Sequence, residues 1–552
     1  MTPWAALYPP TVSIRPATDP QHMLHAWDRT VAAYQDRPGV HYFDATFTFS
    51  ELDRQADALA AAMRDRGLAP GDRVGIYLQN DPQWLVSMIA TWKLGATAVA
   101  LNPMLRTEEL RHHLEDSQPK VLICEEGLFR QNVVSLVGGD SGLFVITTSP
   151  LDMIGAAEAP QALTSAVAAA PADVRATSWR SLLPGYRSAA PAPVPFDPGV
   201  PALLTYTSGT TGRAKGAMNT HDAVRYNAQV YAEWFDLRSG DPVLGIAPFS
   251  HITGSVACLA VGIVTGAPMI MLHRFDAAEV LRLVEKWRPA FTVAASTAYL
   301  ALANHPSAAS RDLSSVTKAA SGGAPVTAAL VQDVRRRLGW ELNGVYGLTE
   351  TTSPTHLTPP GATVPVDPET GALAVGIPVP GVRVRLLDLD SGLDCAAGEA
   401  GEIAVRGPMV IAGYWNAPAE SAHAIRDGWL YTGDVGVMNE LGWLWVVDRK
   451  KDLINASGFK VWPGEVEEVL AGHPAVLESV VVGVPDPYRG ETVKAFVVLR
   501  DGMTAEPAAL VAFCRDRLAA YKYPRLVEFV EILPKTASGK VLRRTLRDKP
   551  AQ

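Results

Sequence analysis

Between residues 50 and 124 the chain switches repeatedly between helical and strand-like apolar patterns, and this alternation limits the fold more than any other feature. Leu52, Ala56, Leu59, Ala60 and Met63 recur at helical spacing. Ser50 and Asp53 have the spacing of a capping box at the start of that helix, and Gly67 and Pro70 close it. Apolar runs predict strands over 74–78, 97–101 and 120–124, with helices over 82–93 and 107–116 between them. Strands separated by helices of this length pair in parallel, under a cover of helices. A chain of 552 residues, 48% apolar, has the material for several such units and a large core.

Further along, residues 154–176 are alanine-rich, and 184–201 hold six prolines and read as an extended connection. Helices and strands then alternate again: a helix over 281–287, strands over 291–295 and 316–320, and a helix over 328–338. Runs at 382–387 and 402–406 read as antiparallel strands of a smaller β-rich unit. The strand expected over 443–447 meets the charged run Asp448-Arg-Lys-Lys-Asp452, where we place a domain boundary. Beyond it lies a unit of about 100 residues, large enough to fold alone. Its helix opens at Pro463, followed by strands over 480–484 and 493–499, a helix over 508–518 and a strand over 527–533. The expected fold class is therefore α/β. A large N-terminal domain (1–447) of mixed sheets covered by helices includes a β-rich subdomain. A boundary at 448–451 then leads to a small α+β domain (452–552).

The net charge of −8 argues against a general nucleic-acid binder. The part after 448 carries more Lys and Arg than Asp and Glu, so it is the better place for an anionic ligand. Cys124, Cys258, Cys395 and Cys514 are scattered and form no CxxC pair, which favours a reducing, cytoplasmic setting. The N-terminus lacks the basic start and apolar run of a signal peptide. The most apolar run, 258–272, is too short to span a bilayer.

The strand expected at 203–206 leads into Thr207-Ser-Gly-Thr-Thr-Gly-Arg-Ala-Lys215-Gly216. Its glycines let the backbone wind closely round an anion, while its hydroxyls, lysine and backbone N–H groups supply donors. The loop suits a polyphosphate, although Gly212 precedes Arg213 and so breaks the P-loop pattern. Ser321-Gly-Gly-Ala324 follows a strand and would let a flat ring approach the backbone. Tyr346-Gly-Leu-Thr-Glu350 offers an aromatic plane, a hydroxyl and a carboxylate. Tyr431-Thr-Gly-Asp434 offers a carboxylate on a turn, and Thr536-Ala-Ser-Gly-Lys540 a lysine on a flexible loop.

In this order and spacing, from about Ser50 to Arg544, these stretches resemble the adenylate-forming superfamily of acyl-CoA synthetases, luciferases and peptide-synthetase adenylation domains. Asp448-Arg-x-Lys-Asp-x-Ile-x-x-x-Gly458 and Pro534-Lys-Thr-x-x-Gly-Lys540 complete the match. The chain departs from the family pattern at Ala214, usually proline, and at Asn455, often lysine. The resemblance implies ATP, Mg²⁺ and coenzyme A, and a small domain that rotates between adenylation and thioester formation. It assigns Thr207, Ser208, Gly209, Thr210, Thr211, Gly212 and Lys215 to the β/γ-phosphates and Thr349 to the α-phosphate. Gly322, Gly323, Ala324, Tyr346 and Gly347 fall to the adenine side, and Asp434 and Arg449 to the ribose, with Gly458 a further nucleotide contact. Glu350 becomes the Mg²⁺ ligand, Lys540 the mobile clamp on carboxylate and α-phosphate, and Lys451 the hinge. His251 reads either as a core histidine near a helix start or, by resemblance, as a gate beside the acyl pocket.

The expected activity is an ATP-dependent acyl-CoA synthetase acting on a medium or long aliphatic acid. Thr351, Thr352 and Ser353 leave room for that acid, with His356 also near. No carrier motif follows Arg547, which points to CoA as acceptor. The alternatives are an adenylation enzyme loading a separate carrier protein, an aryl-acid CoA ligase, a luciferase-like oxygenase and a non-enzymatic nucleotide module. Expected partners are a carboxylic acid, ATP and CoA, with no nucleic acid and no membrane span. A homodimer is compatible with this reading.

Overall fold

The computed structural model describes residues 2–13, 22–138, 142–166, 173, 175–189, 191–207, 213–324, 326–367, 372–456, 459–486, 490–535 and 541–547. Among these residues the strands form four sheets. The seven-stranded sheet runs in the order Thr177–Ser178, Phe144–Thr148, Val121–Glu125, Arg73–Tyr77, Thr97–Ala100, Pro201–Tyr206, Gly216–Thr220. Its neighbours are parallel except the last pair, an antiparallel hairpin. The inner strands are continuous buried runs, as a parallel sheet covered on both faces requires.

The nine-stranded sheet has a parallel centre that includes Met269–Met271, Val243–Leu244, Phe291–Ala294, Lys318–Gly322 and Leu342–Leu348. Antiparallel strands edge it, among them Ser353–Leu357. One apolar cluster joins this sheet to the first, and helix Pro82–Lys93 lies inside it. That helix is capped by Asp81, whose Oδ1 accepts from Trp84 N at 3.2 Å. It is buried from Pro82 through Trp92, on its whole circumference instead of on one inner face.

A five-stranded antiparallel sheet follows, with Arg383–Leu387, Ala400–Arg406, Trp429–Met438 and Leu444–Arg449 among its strands. The last sheet holds Ile454–Ala456, Phe459–Val461, Val476–Asp486, Gly490–Leu499 and Leu526–Phe529 and has clusters of its own. The mixed-sheet N-terminal part, its β-rich subdomain and the small α+β C-terminal part are thus as expected.

Three local expectations change, and one strand is new. The capping box belongs to Thr48 and Glu51: Glu51 N donates to Thr48 Oγ1 at 3.2 Å, and Thr48 N to Glu51 Oε2 at 2.8 Å. The longer Glu side chain reaches back where Asp53 would not, and Asp53 instead accepts from Trp27 Nε1 and pairs with Lys93. A strand, Gly216–Thr220, separates the phosphate loop from helix His221–Trp234. Asp434 sits inside the ten-residue strand Trp429–Met438, because that strand absorbs Gly433 at φ 71° without turning. The strand expected to end at 447 continues through Asp448 and Arg449, whose backbones pair with Val435 and Asp434.

Helix His221–Trp234 is packed at its start against a second helix, Met23–Tyr34. His22 caps the latter, its Nδ1 accepting from Leu24 N at 2.9 Å, and its ring stacks on that of His221 at 3.8 Å between centroids. Burial, aided by His25, pushes the His22 pKa down to about 4, and burial also drives His221 well below the ordinary imidazole range. The unfolded chain therefore binds protons below pH 6.5 that the folded one refuses. The contribution of His22 to stability is whole above that pH and is lost as pH falls toward about 4, at up to about 1.4 kcal/mol per pH unit. His22→Asn keeps a cap acceptor but does not titrate. Denaturation midpoints measured from pH 7 to 4 should fall less steeply for this variant, and an unchanged slope would refute the assignment.

Candidate active site

Three of the sheets converge where the motifs lie. The irregular segment 413–415 runs along edge strand Gly216–Thr220: Met218 N donates to Gly413 O at 3.0 Å, and Trp415 N to Gly216 O at 2.7 Å. This pairing sets Tyr414 opposite Ala217, beside the end of the phosphate loop. The Lys215 ammonium stands 4.7 Å from the centroid of the Tyr414 ring, and the Tyr414 hydroxyl donates to Glu350 Oε1 at 2.7 Å. One tyrosine thereby joins the lysine of the loop to the carboxylate of the Tyr346–Glu350 motif. Thr207 N donates to Lys215 O at 3.0 Å and closes the base of the loop. His112 Nε2 lies 3.0 Å from Ala214 O, just before the loop lysine. Ser208, Gly209, Thr210, Thr211, Gly212, Gly458 and Lys540 lie outside the described residues.

The third sheet supplies the opposite side. Asp434 and Arg449 face each other in register, with Arg449 Nε 3.1 Å from Asp434 Oδ1. Tyr346, from the nine-stranded sheet, donates its hydroxyl to Asp434 Oδ2 at 2.9 Å. Burial and then the Asp434 charge raise the Tyr346 pKa well above the usual phenol value, so it stays a donor. Two fixed partners hold the buried Asp434 carboxylate in one orientation. Gly322 ends the neighbouring strand Lys318–Gly322, and Gly323 follows at φ 80°, a left-handed position where a side chain would be strained. Ala324 comes next, half-buried. A Cβ on Gly347 would stand 2.0 Å from Ser353 O, so only glycine allows the backbone to fold back there.

That fold-back is a tight turn over residues 349–353. Thr352 has φ 51° and Ser353 φ 91°, left-handed values that cost non-glycine residues about 1–3 kcal/mol each. Such strain persists only where the surroundings over-determine it. Asn219 and Asn227, both fully buried, reach into the turn from the strand and helix behind the phosphate loop. Thr351, Thr352 and Ser353, which the sequence offers as pocket lining, are themselves buried and hydrogen-bonded within it.

Glu350 is half-buried, and no lysine or arginine pairs with it among the described residues. One of its oxygens holds the Tyr414 hydroxyl, which leaves capacity for a hard cation. Among the described residues no three His, Cys, Asp or Glu side chains form a metal cage. This donor set fits Mg²⁺, which takes one or two carboxylates and completes its shell with water and substrate phosphates. His251 is the N-cap of Ile252–Gly254, with Thr253 N donating to its Nδ1 at 3.3 Å. Its loop is held by Asn80, which accepts from Phe249 N at 2.8 Å and donates to Ala247 O at 2.9 Å. Lys451 lies in the short turn Lys450–Asp452, where burial and Arg449 lower its pKa.

Sequence reasoning missed Tyr414, Asn219 and Asn227. Tyr414 lies 64 positions from Glu350 in a segment without regular structure, and only its aromatic neighbour Trp415 marks it. The two asparagines stand in no motif, and the turn they serve lies more than 120 positions away in the chain.

Residues 27–415 match the family described as AMP-binding enzyme, and residues 465–540 its C-terminal domain. A long-chain-fatty-acid–CoA ligase of Bacillus subtilis (strain 168) is 35% identical over all of this chain and 98% of its own length. A feruloyl-CoA synthase of an Amycolatopsis species is 36% identical over 92% of this chain and 95% of its own. Among solved structures, an anthranilate CoA ligase in complex with anthranoyl-AMP superposes with a TM-score of 0.84 at 26% identity, covering 96% of this chain and 97% of that one.

Proposed function

The chain belongs to the AMP-binding enzyme family, and from that premise we propose that the acid it joins to CoA is a fatty acid of medium or long chain. The protein is an acid–thiol ligase that uses ATP, Mg²⁺ and CoA. In the first half-reaction a carboxylate oxygen bonds to the α-phosphorus of ATP, and the bond to the bridging oxygen breaks, releasing pyrophosphate. In the second, the CoA sulfur bonds to the acyl carbon, its proton passes to solvent, and AMP leaves.

Both partners of the first step are anions, so the protein must act by positioning and by cationic or hydrogen-bonding clamps. We assign Lys215, Thr207 and the loop between them to the β/γ-phosphates, and Thr349 to the α-phosphate. Asp434 and Arg449 take the ribose, while Tyr346 with 322–324 takes the adenine. Glu350 would hold Mg²⁺, which when bound offsets phosphate charge. Lys540 is the clamp on the reacting oxygens, His251 gates the acyl pocket, and Lys451 is the hinge between residues 1–447 and 452–552.

One observation carries the choice of acid. Apart from Glu350, His251 and His356, whose burial holds its imidazole well below the ordinary range, the stretches 249–253, 321–324 and 348–353 with position 356 contain no ionisable side chain to pair a second carboxylate. Full-length relatives named for long-chain fatty acids support it. The feruloyl-CoA synthase is as similar in identity, which makes an aryl acid the second reading. Pyrophosphate release measured over a panel of aliphatic, aryl and dicarboxylic acids tests both. The highest kcat/KM should fall on C8–C16 aliphatic acids, each methylene contributing about 1–3 kcal/mol of discrimination at most. A maximum on ferulate or benzoate would replace the first reading by the second.

Among the described residues no helix is long and apolar enough to cross a membrane. All four cysteines are free, and three are buried, which supports a cytoplasmic setting.

A further inference from the structure

Every carbonyl from Thr349 to Ser353 has a partner. Thr349 O accepts from Asn219 Nδ2 at 2.9 Å and from Thr352 N at 3.1 Å. Glu350 O accepts from Ile411 N at 3.0 Å. Thr351 O and Thr352 O both accept from Asn227 Nδ2, at 3.0 and 2.8 Å. Ser353 O lies 2.9 Å from the Thr351 hydroxyl. Asn219 spends its second amide proton on Thr352 Oγ1 at 3.0 Å. All four amide protons of the two asparagines thus enter this one turn. Their orientation is unambiguous, because the reversed amide of Asn227 would set oxygen against two carbonyls.

We propose that Asn219 and Asn227 are positioning residues that hold the strained turn of Thr349 and Glu350 in its working shape and tie it to the phosphate loop. The tie is direct. Asn219 lies on strand Gly216–Thr220, which begins where the loop ends. Asn227 lies on helix His221–Trp234, capped by Thr220 from that same strand. Four buried hydrogen bonds outweigh the preference of Thr352 and Ser353 for ordinary backbone angles. Without them the turn relaxes, and Thr349 and Glu350 no longer face the site together. The proposal rests on the assignment of those two residues to α-phosphate and Mg²⁺.

The test uses the full chain, with Asn227→Ala and, as a second probe, Asn219→Ala, each also combined with Glu350→Gln. Three quantities are read: acid-dependent ATP–pyrophosphate exchange over a Mg²⁺ titration, CoA thioester formation from supplied acyl-adenylate, and the thermal midpoint. Loss of a group that orients a metal ligand typically costs about 10- to 100-fold. The exchange reaction should fall by that factor with a higher Mg²⁺ half-saturation, while the thioester step, from which pyrophosphate has already left, should fall severalfold less. In the Glu350→Gln background the asparagine change should add little, because both act through one group. A purely structural asparagine would slow both half-reactions together and add fully to Glu350→Gln, and either result overturns the proposal. If Asn227→Ala fails to fold, the same readings on Asn219→Ala decide. Should the unmutated protein show no acid-dependent exchange with any acid, the proposed activity fails first, independently of the asparagines.

Discussion

Lys540→Ala is expected to lower adenylation by roughly 10²–10³-fold, by analogy with the loss of one oxyanion donor, while conversion of supplied acyl-adenylate to acyl-CoA continues. In the first half-reaction two anions must meet, and a mobile ammonium offsets their repulsion as charge shifts toward the leaving pyrophosphate. In the second the nucleophile is a thiol and the electrophile a mixed anhydride, so that ammonium has no comparable task. The residues on either side of 536–540 are described: Lys535 faces Val541 in an antiparallel bridge, and Leu542 N donates to Pro534 O at 2.8 Å. Both half-reactions should be measured on one preparation. Equal failure in both, or in neither, would reduce Lys540 to a surface or structural lysine and remove the case for domain alternation.

The second large effect is expected at Glu350. Glu350→Gln keeps an oxygen for the Tyr414 hydroxyl, so the contact at 2.7 Å survives and the fold should be unaffected. What disappears is the negative charge that would hold Mg²⁺ beside the phosphates. A loss on the order of 10²-fold in pyrophosphate release follows, partly recovered at high Mg²⁺, with acid binding retained. Near-normal turnover at limiting Mg²⁺ would reassign Glu350 to a structural role, as the acceptor for Tyr414. Tyr414→Phe is the natural control, since it removes the hydroxyl but leaves the ring under Lys215.

What was legible in the sequence follows from how local each signal is. Helix Pro82–Lys93 is marked by an aspartate cap and a proline in its first turn, and helix Ala328–Leu338 by Thr327 before it and Gly339 after it. These are short-range chemical signals, and both helices lie where the spacing puts them. The sequence marks Asp434 as a carboxylate on a turn, because Thr-Gly-Asp carries a turn signal that a ten-residue strand here overrides. The capping box was displaced by two residues because Ser50 and Thr48 both precede an acidic residue at the required spacing, and side-chain length decides between them. Tyr414 could not be read at all. Its meaning comes from contacts with Lys215 and Glu350, 199 and 64 positions away, and no periodicity encodes such distances.

The eight positions from Asn219 to Asn227 work as a ruler. The cap Thr220, which ends the strand, and under two turns of helix lie between them, and each helical residue turns the chain by about 100° and advances it about 1.5 Å. Inserting or deleting one residue among 222–226 would swing the Asn227 amide away from Thr351 and Thr352, whatever residue was added. Point changes at Asp222 or Arg225, which are only half-buried, leave that geometry alone. This stretch should therefore tolerate variation in spelling but not in length. The exposed turn at 238–240, just past the end of the same helix, should accept extra residues freely.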